Sequence, residues 1–95
     1  FKLLTSLNYM SELTIIEALN LASKKHNEGK LQEAEIIYKK ILETDPFNHN
    51  AIHLLGLIAY QLGRYKEAIE NISKAIDLKP NIAIYHGNLA RLTTS

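Results

Sequence analysis

The stretch that decides the fold is residues 54–69, LLGLIAYQLGRYKEAI, followed by DLKP at 77–80. Apolar residues recur at helical spacing on both sides of Gly63, and Pro80 cannot continue a helix. Glycine often follows the last residue of a helix, because it adopts a positive φ without steric cost. The stretch therefore predicts two helices joined by a tight turn at Gly63 and ended near Pro80.

The same pattern occurs once before, at a constant distance along the chain. Each pair of matching residues is separated by 34 positions: Gly29 and Gly63, Ala34 and Ala68, Lys40 and Lys74, Pro46 and Pro80. Self-similarity at a fixed period of this size is typical of stacked helical repeats. We therefore predict an all-α fold built from helix pairs.

The repeat also resembles the tetratricopeptide repeat (TPR), a helix-turn-helix family. The residues that carry the resemblance are Leu55, Gly56, Ala59, Tyr60, Gly63, Arg64, Tyr65, Ala68, Ala75 and Pro80. It implies a right-handed superhelix of stacked antiparallel helix pairs. The expected TPR domain is 14–95, with repeats at 15–48 and 49–82 and a partial repeat at 83–95. Residues 1–13 are expected to be a leader or an added segment, with Met10 as the natural start.

Composition restricts the classes of partner. Eleven Lys and Arg against ten Asp and Glu give a net charge of +1, which is too small to favour binding to nucleic acid or an anionic membrane. The chain has no cysteine, so disulfides and thiolate chemistry are excluded. No apolar run is long enough to span a bilayer. A cytoplasmic protein that uses neither nucleic acid nor a membrane is the expectation.

Local patterns predict how the helices begin and pack. Thr14 and Glu17 match a capping box, so Thr14 is expected to be the N-cap of the first helix. Gly56 lies inside a helix, where glycine is unfavourable, and is expected to mark a close approach of two helices. Tyr65, with Ala68 and other apolar residues, is expected to pack the second helix of its pair.

Residue patterns for catalysis or metal binding are weak. His49 and His53 are four residues apart, a spacing that can place two imidazoles on one helix face. However, Asn50 stands where a metalloprotease motif has glutamate, so the two are interpreted as surface histidines. Acid pairs such as Glu33 and Glu35 are interpreted as solvated charge. No phosphate-binding or nucleophile motif occurs, so we predict no enzyme activity, no cofactor and no metal in this segment.

The TPR resemblance also implies which residues bind a partner. In that family the first helix of each repeat lines a concave groove. Carried over position by position, the expected protein- or peptide-binding residues are Ile16, Leu19, Asn20, Ser23, Asn50, His53, Leu54, Leu57, Tyr60, Asn88 and Arg91. The same positions also include His26, Gln61 and Ile84.

Two subclasses of the family differ at these positions. The chaperone-binding subclass uses a lysine and an asparagine where this chain has Leu19 and Ser23, so its carboxylate clamp is not expected here. TPR regions attached to O-linked N-acetylglucosamine transferases use a ladder of asparagines to bind peptide backbone. Asn20 and Asn88 occupy ladder positions and Leu54 interrupts them. The alternative is that both asparagines are ordinary polar residues on exposed helix surface.

The expected function is protein–protein interaction through the concave groove. Its apolar residues could contact a partner, could be buried inside the array, or could be covered by Phe1, Leu3, Leu4 and Leu7 of the same or another chain. Two alternative functions stay open. One is a non-catalytic, substrate-presenting arm of a larger transferase, and the other is a structural segment that self-associates. A homo-oligomer would form through the last helix, where Tyr85, Leu89 and Leu92 are expected to leave an apolar face uncovered.

Overall fold

The computed structural model describes residues 12–94. Five helices occupy this range: α1 (Glu12–Asn27), α2 (Leu31–Thr44), α3 (His49–Gln61), α4 (Tyr65–Leu78) and α5 (Ala83–Thr93). The expectations for the leader, for Met10 as the start, and for groove filling by Phe1, Leu3, Leu4 and Leu7 lie outside the described residues.

The helices form a repeat of antiparallel pairs, as predicted. α1 packs on α2 and α3 packs on α4, while α2 also contacts α3 and α4 contacts α5. Short connections between neighbours enforce the antiparallel arrangement. α1, α3 and α5 are therefore the first helices of successive repeats, and α2 and α4 are the second helices.

The two turns within the pairs are equivalent. Gly29 and Gly63 have φ values of 81° and 82°, the only positive values among the described residues. In each turn the glycine N–H donates to the carbonyl three residues earlier at 3.0 Å. The next N–H, of Lys30 or Arg64, reaches back five residues, at 2.9 and 2.8 Å respectively. Both turns are thus Schellman motifs, and the predicted role of the two glycines is confirmed.

The N-terminus of α1 differs from the prediction. The helix begins at Glu12, so Thr14 lies within its first turn and the predicted N-cap at Thr14 is wrong. Glutamate and leucine are good helix formers, which lets Glu12 and Leu13 extend the helix before Thr14. A side-chain cap does occur at α3, where Asn48 Oδ1 accepts from the Ala51 N–H at 2.9 Å.

Small residues lie where the paired helices meet. Ala22 and Ala34 are fully buried between α1 and α2, and Ala68 is fully buried opposite Gly56. A Cβ added to Gly56 would lie 2.8 Å from Ile72 Cγ1 and 3.2 Å from the Ala68 carbonyl oxygen. The close approach predicted at Gly56 is therefore confirmed.

Apolar side chains fill two adjoining cores. The first is formed by Ala22, Ala34, Tyr38, Ile41, Ala51, Leu55 and Ile58, and the second by Ile52, Ala75 and Tyr85. Two predictions about tyrosines are wrong. Tyr65 is 59% exposed, with its ring against that of Tyr60 at 5.3 Å between centroids. Tyr85 is buried against α3 instead of contributing to an uncovered face.

Candidate functional site

The first helices of the repeats form one face of the array, which we call the groove face, and it contains two separate hollows. The α3–α5 hollow consists of two adjoining spaces of about 280 Å³ each, at the C-terminal ends of these helices. It is lined by His26, Leu57, Tyr60, Gln61, Arg91 and Leu92. The α1–α3 hollow, of about 190 Å³, lies at the N-terminal ends. It is lined by Ile15, Ile16, Leu19, Asp45, Asn48 and Asn50.

The structure brings together about half of the residues that the sequence predicts for the site. Leu57, Tyr60 and Arg91 meet in the α3–α5 hollow. Ile16, Leu19 and Asn50 meet in the α1–α3 hollow. Both hollows combine apolar walls with a few polar groups, the usual composition of a binding pocket.

The remaining predicted residues line neither hollow. Asn20 and Ser23 are exposed on α1, and Leu54 packs against the first core. His53 and Asn88 are buried, at 5% and 7% exposure. The interpretation of His53 as a surface histidine is therefore wrong, as is the alternative that Asn88 lies on exposed surface.

His53 and Asn88 form a chain of hydrogen bonds that reaches the α3–α5 hollow. Asn88 Nδ2 donates to His53 Nε2 at 2.8 Å, and Arg91 Nη2 donates to Asn88 Oδ1 at 2.7 Å. Because Nε2 of His53 accepts, its ring must be neutral with the proton on Nδ1. Burial lowers the pKa of His53, and the charge of His49 lowers it further, so the neutral form is favoured. These two hydrogen bonds fix the side chain of Arg91 at the edge of the hollow.

Next to these hydrogen bonds, Tyr85 on α5 contacts residues in the first half of α3. Its ring stacks on that of His53, with 4.2 Å between centroids and 29° between planes. Its hydroxyl donates to Asn50 Oδ1 at 3.0 Å, so it must accept from His49 Nδ1–H at 2.7 Å. The pKa of Tyr85 is raised by burial, which keeps the hydroxyl protonated for this role.

The histidine pair does not converge on one point. His49 contacts the Tyr85 hydroxyl, and Nε2 of His53 is occupied by Asn88. Among residues 14–94, no three side chains of histidine, aspartate or glutamate are grouped as metal ligands would be.

An ion pair between a buried carboxylate and an exposed arginine connects the two full repeats. Glu35 on α2 is only 8% exposed, and its Oε2 accepts from Arg64 Nη1 at 2.6 Å. Lys39 lies 3.6 Å from the same oxygen. The interpretation of Glu35 as solvated charge is therefore wrong. The helical period predicts that Glu35 lies on the exposed surface of α2. In the structure, the side chain of Arg64, which immediately precedes α4, covers it.

Sequence reasoning missed Tyr85, Glu35 and Arg64 as interacting residues. Their partners lie 29 to 36 positions away, so no short motif contains both groups. One signal was available for Tyr85, whose partners lie 35 and 36 positions away, close to the repeat period of 34. Residues separated by about one period lie side by side in a stacked array.

Comparison with known proteins agrees with this architecture. Residues 27–88 match the family model described as anaphase-promoting complex, cyclosome, subunit 3. The chain belongs to this family. It is a helical-repeat segment of the TPR type, a class of non-catalytic protein-binding scaffold.

Two curated relatives carry the same kind of similarity. A tetratricopeptide repeat and J domain-containing co-chaperone, DNJ1 of Fusarium oxysporum f. sp. lycopersici, is 29% identical over 82 residues. That alignment covers 86% of this chain and 16% of the relative. The BBSome complex member BBS4 of Bos taurus is 38% identical over 52 residues, covering 55% of this chain and 10% of the relative. The chain thus spans less than a fifth of either relative.

A solved structure shows the same fold. The type III secretion chaperone SycD of Yersinia enterocolitica, crystallised with a peptide of the translocator YopD, has a TM-score of 0.78 and 19% sequence identity. The match covers 87% of this chain and 63% of that chain. None of the described helices of this chain has the length and apolar character needed to cross a membrane.

Proposed function

We propose that the groove face binds a polypeptide segment of a partner protein. The observation that carries the proposal is the meeting of Leu57, Tyr60 and Arg91 in the α3–α5 hollow. These residues come from two repeats, and all three occupy positions that the TPR resemblance assigns to binding. The peptide held by SycD is a precedent for the fold, although it does not identify a ligand for this chain.

Apolar contacts supply the main attraction in this proposal. Ile16 and Ile84 are 52% and 62% exposed on the groove face, and Tyr60 is 44% exposed. Exposed apolar side chains beside concave surface are typical of partner sites, because binding removes them from water. The asparagine ladder receives less support, since Asn88 is buried and already bonded to His53 and Arg91.

A matched pair of variants tests the groove face. Ile16→Ser removes an exposed isoleucine beside the α1–α3 hollow, and Ile36→Ser removes one that is 56% exposed on α2. A peptide array incubated with each variant should show weaker binding for Ile16→Ser and unchanged binding for Ile36→Ser. Leu57→Ser, in the other hollow, should also weaken binding. Equal binding by the three variants and the parent would exclude the groove face.

Two further functions remain hypotheses. The chain could be the substrate-presenting arm of a larger transferase, resembling the TPR region of O-linked N-acetylglucosamine transferases. Asn20, which is exposed at a ladder position, supports that hypothesis. Reading the gene beyond Ser95 tests it, since more repeats followed by an α/β domain would be expected.

Self-association through α5 is the other hypothesis. Leu89 and Leu92 are half-buried rather than covered, and Ile84 is exposed. Light scattering over a range of concentrations would detect a dimer, and a constant monomer mass would refute it.

A cytoplasmic location is likewise proposed, and cell fractionation tests it.

A further inference from the structure

The α3–α5 hollow has a cation at its edge and no carboxylate in its lining. Arg91 contributes to both of its adjoining spaces, whose other lining residues are neutral or histidine. Among residues 14–94, Arg91 has no carboxylate oxygen within 4.0 Å, whereas Arg64 is bound to Glu35. The α1–α3 hollow differs, because Asp45 is part of its lining. An acidic ligand is therefore favoured at one hollow and disfavoured at the other.

Arg91 is also held in position before any ligand arrives. Its Nη2 donates to Asn88 Oδ1, and Asn88 is fixed in turn by the buried ring of His53. A guanidinium has five N–H donors, so this single bond leaves donors that can bind a carboxylate. Fixing a long side chain in advance reduces the entropy lost when a ligand binds.

The hollow continues on both sides of Arg91, with apolar Leu92 on one side and polar His26 and Gln61 on the other. Both spaces share Leu57 and Tyr60 with Arg91. A segment that crosses the hollow can therefore place a bulky apolar side chain beside the guanidinium. Because the spaces continue to either side of Arg91, an internal acidic side chain fits better than the end of a chain.

We propose that the α3–α5 hollow selects partner segments in which an acidic side chain lies beside a bulky apolar one. The carboxylate accepts hydrogen bonds from Arg91, and the apolar side chain packs against Leu57 and Tyr60. This inference rests on the proposed function and adds the chemical class of the partner.

Three sets of synthetic peptides test the inference by fluorescence anisotropy. The first set has capped ends and a central glutamate flanked by leucine or phenylalanine. The second replaces this glutamate by glutamine. The third keeps the glutamine and has a free C-terminal carboxylate. We expect the first set to bind about fivefold more tightly than the second, as for a partly exposed ion pair. The third set should bind like the second, and the preference should decrease with added salt.

Variants of the full 95-residue chain locate the preference. Arg91→Met should remove the glutamate preference, so that the glutamate and glutamine sets bind this variant with equal affinity. Arg91→Lys should retain part of the preference, because it keeps the charge and loses the planar geometry. Lys74→Gln removes an exposed charge on α4 and should preserve the full preference. Melting curves of each variant show whether it is folded.

Other binding results would overturn separate parts of the proposal. Equal binding of the glutamate and glutamine sets would overturn the acidic selectivity while leaving peptide binding in place. Preference for the third set would overturn the internal position of the acid. A preference that survives Arg91→Met would overturn the role of Arg91. Absence of binding by all sets would count against the proposed function itself.

Discussion

At the scale of single residues, the two glycines inside helices have opposite roles. Gly56 faces Ile72 and the Ala68 carbonyl across a contact too close for a Cβ, whereas nothing lies within 4 Å of a Cβ built on Gly87. Gly56→Ala should lower the free energy of unfolding by about 1–2 kcal/mol through overpacking, even after its gain in helix propensity. Gly87→Ala is the control, and should raise it by about 0.5–1 kcal/mol. Urea denaturation measures the change in the free energy of unfolding for both variants. If the two changes had the same sign, the close contact at Gly56 would be contradicted.

Two buried tyrosines differ in whether the hydroxyl group has a hydrogen-bond partner. The Tyr38 hydroxyl has no hydrogen-bond partner among the described residues, and burial raises its pKa to about 12. Tyr38→Phe removes an unpaired polar group and should be neutral or raise the free energy of unfolding by up to about 1 kcal/mol. Tyr85→Phe loses bonds to Asn50 and His49 and should lower it by about 1–2 kcal/mol. Thermal denaturation compares the two, and a loss for Tyr38→Phe would reveal a partner for its hydroxyl.

Residue-level predictions from the sequence succeeded where the cause is local. The roles of Gly29, Gly63 and Gly56 follow from φ preferences and from the cost of glycine in a helix, which act within one or two turns. The burial of Glu35 and His53 was missed, because it depends on side chains about one repeat away. A helical period shows which residues share a face, but it does not show whether the next repeat covers that face.

At the scale of elements, the junction of α3 with α5 should depend on pH. Burial and then the charge of His49 lower the pKa of His53. The pKa of His49 is lowered by burial and by Lys79, and Asp45 opposes this in part. Both folded-state values therefore lie below the ordinary 6.5. Since the unfolded chain binds these protons more readily, stability is complete above about pH 6.5 and decreases as the pH falls through the lowered values.

Melting temperatures between about pH 7.5 and about pH 5 check this prediction. The melting temperature should fall with pH, and His53→Gln should reduce that dependence. His86→Gln provides the control, because His86 is exposed and bonds only to the Pro80 carbonyl among the described residues. A pH dependence that is identical in the parent and His53→Gln would refute the role of His53. The sequence did not suggest this junction, since it gave His53 and Tyr85 separate and surface-directed roles.

At the scale of the whole molecule, the repeats should differ in local stability. α3 contacts α2, α4 and α5, so its amides lie in the middle of the described array. α5 contacts α4 and the start of α3, and its other side carries the exposed Ile84. In a linear array each unit is stabilised by its neighbours, so the end of the described array opens more readily.

Hydrogen exchange should therefore be about tenfold or more faster in α5 than in α3. Amide exchange followed by mass spectrometry resolves the two helices, and uniform protection would show that the array unfolds as one unit. A peptide that binds the α3–α5 hollow should slow exchange in α5, because it bridges both helices. The sequence predicted the architecture at this scale almost completely, since the period of 34 fixes the order and pairing of the helices.

The ion pair of Glu35 and Arg64 makes the order of the repeats matter in evolution. One period after Glu35 the chain has Ile69, so the second repeat does not offer an acid at the equivalent place. A recombination event that exchanged the two repeats would leave the carboxylate of Glu35 without its arginine and place an isoleucine opposite a cation. Duplication of the second repeat alone would likewise place Ile69, instead of an acid, opposite the copied arginine. The ion pair therefore makes the contact between the two repeats specific to the order in which they occur in the chain.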